Sequence, residues 1–359
     1  MTLSNVFIGK RVVQQIYLNN AIIYQSKGWE TLPCAPTEVW TKKYDDAGNS
    51  YIISADTDKD NNLYATTSFG NVYKINPDGE IIWKKYLSAE YLKIDTDNNI
   101  YVVAYKKIDT NQVDRTIIKI DDGGNIIEEF NLSKLSGYTN LVTFESLAID
   151  SSNLYIIYTY DSSYYFVILS KTGKLLFETA SYNCKQVATD NGKYYYINNR
   201  QDILKCNKSN FSSELVLNKD VPKYGFGGDD IPVYMLMDNM GNLIYRSYYS
   251  GMFKLDPTGK LLSKASSMGS YFTKTNAVDY QNNVYGINEP TNSQINIKKV
   301  SSDGTAIYDT AMIKNPADIN SVFQGRLAVD SNGNVYYVYA DSDYILTVKK
   351  MINVIKKGS

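Results

Sequence analysis

Seven copies of one short pattern, short runs of alternating apolar and polar residues between turn residues, and one strand-like run near the start that belongs to no copy predict an all-β chain. The predicted architecture is a seven-bladed β-propeller closed by that N-terminal strand, with a small N-terminal β-meander in front of it. Residues 1–33 form the meander, read as an attachment module, and residues 34–359 form the propeller. At 359 residues the chain has ample length to bury such a core.

The first element is the run Asn5 to Gln25. Gly9-Lys10 and Asn19-Asn20 are good hairpin corners between strand-like stretches, which predicts the meander. Three short strands are too few to be stable alone, so the segment should dock on its own propeller or on another chain. From Val6 to Trp29 it reads VFIGKRVVQQIYLNNAIIYQSKGW. This run resembles the N-terminal segments of tail and baseplate proteins from phages of low-GC Gram-positive bacteria, in which a similar strand, G-K, strand, I-Y-L-N pattern precedes a variable body. The resemblance covers about a tenth of the chain and implies a virion component attached to other tail or baseplate proteins through this segment; it identifies no catalytic residue.

The second element, Glu38 to Tyr44, matches the strand Ile82 to Tyr86 yet stands outside any copy of the repeat. The seventh copy ends with the chain and lacks a fourth strand. The early run should therefore complete the last blade and leave no open ring edge.

The repeat itself is an aspartate, a two- or three-residue turn, usually an asparagine, an aliphatic residue and an aromatic one. It occurs as Asp58/Asn62/Tyr64, Asp95/Asn99/Tyr101, Asp150/Asn153/Tyr155, Asp279/Asn283/Tyr285 and Asp330/Asn334/Tyr336. Two copies are degenerate, Asp190 to Tyr195 with Lys193 in the asparagine slot, and Asp238/Asn242 followed by Ile244 and Tyr245. Each of the first six copies continues into an apolar strand and a turn, such as Lys74-Ile75 to Gly79 or Lys254-Leu255 to Gly259. In the fourth, Asn210 takes the glycine's place, where it would supply a positive φ. Each unit thus reads as four antiparallel strands, A to D. The stretch Tyr73 to Trp83 also resembles the pyrroloquinoline-quinone-type propeller blade. That family docks a tryptophan in nearly every blade, whereas here only Trp83 and Trp40 hold that position, with Phe130 and Leu176 elsewhere. The resemblance implies architecture and no redox role.

Composition excludes several functions. The chain has no histidine, which removes Ser-His-Asp hydrolysis, Cys-His nucleophiles and His-ligated zinc. Thirty-seven basic and 38 acidic residues give a net charge of −1, with no surplus to attract a phosphate backbone or an anionic membrane. Neither nucleic acid nor membrane is an expected partner. Three scattered cysteines suggest a reducing compartment, and the start lacks a signal-peptide pattern; the expected setting is a virion assembled in the bacterial host cytoplasm. The string Asp56-Thr57-Asp58-Lys59-Asp60 imitates an acidic calcium loop but lacks the glycine and distal glutamate of one, and it coincides with the repeating turn. No metal or cofactor is expected.

Loop length points to a binding face, because insertions accumulate where function is built. From the C–D turn of one unit to the aspartate of the next, the spans Gly124–Asp150, Asn210–Asp238 and Gly304–Asp330 are long, and the spans after odd units are shorter. The B–C spans vary too. In a propeller the D–A and B–C connections share one face. On it the sequence places Tyr138, Tyr182, Tyr224, Phe226, Asp229, Asp230, Tyr271 and Phe323, aromatic and carboxylate residues suited to stacking on a sugar ring and binding its hydroxyls. With 33 tyrosines in the chain, these rings could equally pack under their own loops.

The expected function is therefore a non-enzymatic phage tail or baseplate protein binding cell-wall glycan or a neighbouring tail protein. The alternatives are a propeller glycosidase or lyase, with Asp229 and Asp230 its first candidate carboxylates, and a purely structural propeller.

Overall fold

The computed structural model describes residues 7–8, 11–12, 15–18, 21–25, 29–31, 36–45, 51–107, 113–132, 143–160, 163–181, 187–189, 193–197, 202–216, 232–247, 251–265, 276–291, 294–303, 307–310, 313–314, 325–341, 345–352 and 354–356. Seven antiparallel sheets succeed one another along the chain, each ordered A-B-C-D. Blade 1 comprises Ile52–Thr57, Leu63–Thr67, Asn71–Ile75 and Ile81–Tyr86, and blade 2 Ala89–Ile94, Ile100–Lys107, Val113–Ile120 and Ile126–Asn131. Blade 3 is Thr143–Ile149, Asn153–Tyr160, Ser163–Ser170 and Leu175–Ser181; blade 4 is Val187–Thr189, Lys193–Ile197, Ile203–Asn207 and Ser213–Val216. Blade 5 is Pro232–Met237, Leu243–Ser247, Gly251–Leu255 and Leu261–Ala265. In blade 6, Asn276–Val278, Val284–Thr291 and Gln294–Val300 are edged by two short pieces, Ile307–Asp309 and Ile313–Lys314.

Blade 7 takes strands A to C from Arg326–Val329, Val335–Ala340 and Leu346–Ile352, and its D strand is Thr37–Tyr44. Trp40 pairs with Lys350 and Tyr44 with Leu346, so the predicted clasp is present, with one bulge at Val39. The ring closes at the same place: Thr57 Oγ1 donates to the Val329 carbonyl (2.9 Å) and Arg326 Nε to the Ile53 carbonyl (2.6 Å). Beyond the blade the two chain segments pair once more, Trp29–Thr31 with Val354–Lys356. Ahead of them lie two separate hairpins, Phe7–Ile8 with Arg11–Val12 and Gln15–Leu18 with Ala21–Gln25, flanking the two corners read from sequence.

The core is divided among the interfaces between blades. Among the described residues seven apolar clusters occur, one at each junction from blade 1/blade 2 round to blade 7/blade 1. Ile100, Val102 and Leu92 of blade 2, for example, pack on Tyr64 and Val72 of blade 1. Alternation explains this: each strand points one set of side chains at the preceding blade and the other at the following one, so both faces of a sheet are buried. Each aliphatic side chain so buried contributes roughly 2 kcal/mol.

The repeated Asp-Asn-Tyr pattern is a hydrogen-bonded unit at the A–B turn. Asp58 Oδ1 accepts from the backbone N–H of Asp60 and Asn62 (2.9 and 2.8 Å), and Oδ2 accepts from Asn62 Nδ2 (2.9 Å) and the Tyr64 hydroxyl (3.2 Å). Asp279 and Asp330 repeat the whole arrangement. The turn requires a left-handed residue just before the asparagine: Asn61, Asn98 and Asn282, or Gly241 and Gly333, all have φ between 64° and 80°. These bonds also account for the calcium-like string. Asp58 is occupied as described, Asp56 accepts from Lys93 Nζ (3.2 Å), and Asp60 accepts from Asn98 Nδ2 (2.8 Å), so the carboxylates are turn-forming acceptors.

Two details differ from the sequence reading. In blade 4 the positive φ falls on Phe211 (56°) rather than Asn210, because this turn is one residue longer, closing through Phe211 N–H to the Asn207 carbonyl. In blade 3 the docked aromatic is Phe177, stacked on Phe211 of blade 4 with centroids 5.2 Å apart, while Leu176 is turned outward.

Candidate functional site

Strand A of each blade faces the axis, and strands A of neighbouring blades touch around the ring from blade 1 to blade 5 and again from blade 6 through blade 7 to blade 1. They enclose a cavity of about 550 Å³, lined by strand A residues of blades 1, 2, 3, 5, 6 and 7. This lies within the range of small-molecule sites, roughly 300–1,000 Å³. Strand A begins at the face that carries the D–A and B–C connections, so the first residues of each strand A form the cavity mouth on that side.

At this mouth the sheets are irregular in a repeated way. Ala89 pairs with Ala104 and Tyr91 with Val103, leaving Glu90 as an extra residue; Phe144 pairs with Tyr158 and Ser146 with Ile157, leaving Glu145. Ile53 in blade 1 and Val233 in blade 5 are skipped in the same manner. A bulge re-aims the side chain it carries. In blades 2 and 3 that side chain is a glutamate lining the cavity.

Glu90 Oε2 meets Arg115 Nε, from strand C of the same blade, at 2.6 Å. Burial raises the Glu90 pKa above its ordinary value, and the Arg115 charge only partly opposes this. Arg115 Nη1 is buried without a hydrogen-bond partner among the described residues. The rings of Tyr91 and Phe144 lie beside them, centroids 5.2 Å apart, and Tyr51 and Arg326 complete this end. Toward the opposite end Asp56 and Lys93 form a second ion pair at 3.2 Å. Among the described residues the lining holds as many carboxylates (Asp56, Glu90, Glu145) as cations (Lys93, Arg115, Arg326), and its aromatic and charged groups can take a polar, uncharged guest.

Tyr138, Tyr182, Tyr224, Phe226, Asp229, Asp230, Tyr271 and Phe323 all lie outside the described residues. Sequence reasoning missed the cavity glutamates and Arg115. A signal existed: Glu90-Tyr91-Leu92 and Glu145-Ser146-Leu147 align at the start of strand A, placing an acid where blade 1 has Ile53. Described residues on the same face add exposed rings at the blade 1/blade 2 junction, Phe69, Tyr86 and Tyr105. They surround Ser88, whose carbonyl accepts from the Tyr105 N–H (3.1 Å) and whose hydroxyl meets the Tyr86 oxygen (3.3 Å).

No family model matches the chain, and no curated protein matches it. Solved structures do match in fold. The WD40 β-propeller domain of Doa1 superposes with a TM-score of 0.61 at 12% identity, covering 88% of this chain and 97% of that one. U3-55K gives 0.60 at 10% identity, covering 89% and 100%. The chain is a seven-bladed, WD40-like β-propeller in fold.

Proposed function

We propose that this chain is a non-enzymatic binding propeller of a phage tail or baseplate, held to neighbouring tail proteins by its N-terminal segment and binding host cell-wall glycan or a neighbouring tail protein through its long-connection face. The observation that carries this reading is the polarity of blade 7. Its strand C ends at Ile352 on the short-turn face, paired with Thr37, and Val354–Lys356 pairs with Trp29–Thr31 immediately beyond. The N-terminal segment therefore leaves the ring from the side opposite the long connections, as an attachment module behind a binding face requires. The resemblance of Val6 to Trp29 to phage tail segments supplies the setting.

Localising the chain in purified tails by cryo-electron microscopy tests the attachment, with residues 1–33 expected against a neighbouring tail protein and the long-connection face pointing outward. Binding of the purified protein to intact Gram-positive cells tests the face: Tyr138→Ala, Tyr224→Ala and Phe323→Ala together should abolish saturable binding. Release of reducing ends from cell-wall polysaccharide would overturn the non-enzymatic reading. Co-assembly with tail proteins without any cell or glycan binding would leave a structural propeller.

A further inference from the structure

We infer that the cavity mouth framed by the bulged residues Glu90 and Glu145 is a binding site for one or two units of a neutral saccharide, with Arg115, Tyr91, Phe144 and Tyr51 as its other recognition groups. The inference rests on the reading of this face as a binding face and names a site within it built from described residues of strands A and C.

The chemistry is read from the lining. Strand A is bulged at this rim in blades 1, 2, 3 and 5, and in the adjacent blades 2 and 3 the re-aimed residue is a carboxylate. The buried Arg115 Nη1 is a donor without an acceptor among the described residues, and a buried donor left unmade costs about 1–3 kcal/mol. An incoming hydroxyl or carbonyl oxygen would satisfy it. An anionic guest is disfavoured, because the Glu90 carboxylate already neutralises the Arg115 guanidinium, 2.6 Å from Nε, and the described lining carries equal numbers of acids and bases. Carboxylates such as Glu145 accept from hydroxyls, and the Tyr91 and Phe144 rings offer faces to sugar C–H groups. Hydroxyls that both donate and accept, on an uncharged ring with an apolar face, match this set.

The test uses the full-length protein titrated with chitobiose and maltose as neutral probes, and with glucuronate and inorganic phosphate as anionic ones, followed by calorimetry and saturation-transfer NMR. One-to-one binding of at least one neutral disaccharide is expected, with phosphate and glucuronate much weaker. Arg115→Gln and Glu90→Gln should each weaken it about tenfold, the factor for roughly 1.4 kcal/mol. Because Arg115 is largely buried, Tyr91→Leu provides a second variant, expected to reduce binding while the thermal midpoint identifies any folding defect. Tighter binding of phosphate than of the sugars, absence of saturable binding by either sugar, or sugar binding indifferent to all three substitutions would each overturn the inference. Cell binding that disappears in the Tyr138/Tyr224/Phe323 triple variant but survives Arg115→Gln and Glu90→Gln would overturn this site and leave the binding face standing. Cell binding unaffected by either set would reject the face itself.

Discussion

The buried aspartates of the described A–B turns are tolerable because three or four donors converge on each carboxylate, joined in blades 2, 3 and 5 by a close lysine. The cation arrives by two routes. In blade 5 it comes from strand C of the same blade, Lys254 Nζ to Asp238 Oδ2 at 2.8 Å. In blades 2 and 3 it comes from the C–D turn of the next blade, Lys171 to Asp95 at 2.7 Å and Lys208 to Asp150. Burial works to raise the pKa of Asp95 and Asp150, but these lysines, with the turn amides and neighbouring hydrogen-bonding side chains, outweigh it and hold both below the usual carboxylate range. Their stabilisation is thus complete above pH about 4 and is lost as pH falls through the lowered folded values. Asp330 runs the other way: burial outweighs Asn334 and the Lys350 charge and raises its pKa, so protonating it relieves a cost. Lys171→Met should therefore destabilise by about 3 kcal/mol at pH 7, where Asp95 is left charged and unpaired, and by much less at pH 3, as urea denaturation at the two pH values would record. Tyr285→Phe removes a neutral donor to Asp279 Oδ2, a 2.9 Å bond, and should cost about 2 kcal/mol in the same assay.

In blades 7, 1, 2 and 3 the outer strand docks an aromatic ring onto the next blade's C–D turn. Trp83 Nε1 donates to the Asp122 carbonyl (3.1 Å), and a Cβ at Gly124 would press against the Trp83 ring. Trp40 does the same over Gly79, and Phe130 covers Gly173. Lysine straps reinforce the contact, Lys254 Nζ reaching the Ser302 carbonyl at 2.9 Å and Lys350 Nζ the Pro77 carbonyl at 2.8 Å. The glycines should separate conformational strain from collision. Gly241 has φ +77° and nothing near its missing Cβ, so Gly241→Ala should cost about 1 kcal/mol. Gly173 has φ +76° with the Phe130 ring where a Cβ would sit, so Gly173→Ala should cost about 3 kcal/mol, recovered in part by Phe130→Leu. Denaturant midpoints of the three variants check the order. This docking was half legible in the sequence. The two tryptophans and the recurring turn glycine could be read, but Phe177 could be told from Leu176 only once strand register was known. The strand C lysines carry no local sign of their partners, because Nζ reaches the next blade only in three dimensions. The cavity mouth was less legible still, since a bulge depends on pairing between strands and leaves little local signature at Glu90 or Glu145.

For the molecule as a whole, ring closure is the step on which cooperativity depends. Six junctions join blades adjacent in sequence, whereas blade 7 meets blade 1 across the full chain, with Tyr44, Ala328 and Val348 packed on Ile52, Leu63 and Tyr73. Closing so long a loop carries an entropic cost that the clasp must offset. Deleting residues 1–44 should expose the edge of Leu346–Ile352, strip Trp40 from Gly79 and Tyr44 from its hydrogen bond to the Gly79 carbonyl (2.8 Å), and replace one unfolding transition with two. It should also favour association through the unpaired edge. A permuted chain distinguishes loss of the strand from loss of everything before it: residues 37–44 appended after Ile352, through a turn copied from residues 76–80 of blade 1, would enter blade 7 in their native direction as an ordinary C–D hairpin. That chain should recover a single transition within about 1 kcal/mol of the parent when measured by urea unfolding, because the pairing from Ile352↔Thr37 to Leu346↔Tyr44 is restored and the strand can again pack Trp40 and Tyr44 on blade 1. If the permuted chain unfolds in two steps, the stability of the seventh junction comes from the outer ribbon Trp29–Thr31 with Val354–Lys356 rather than from the clasp strand.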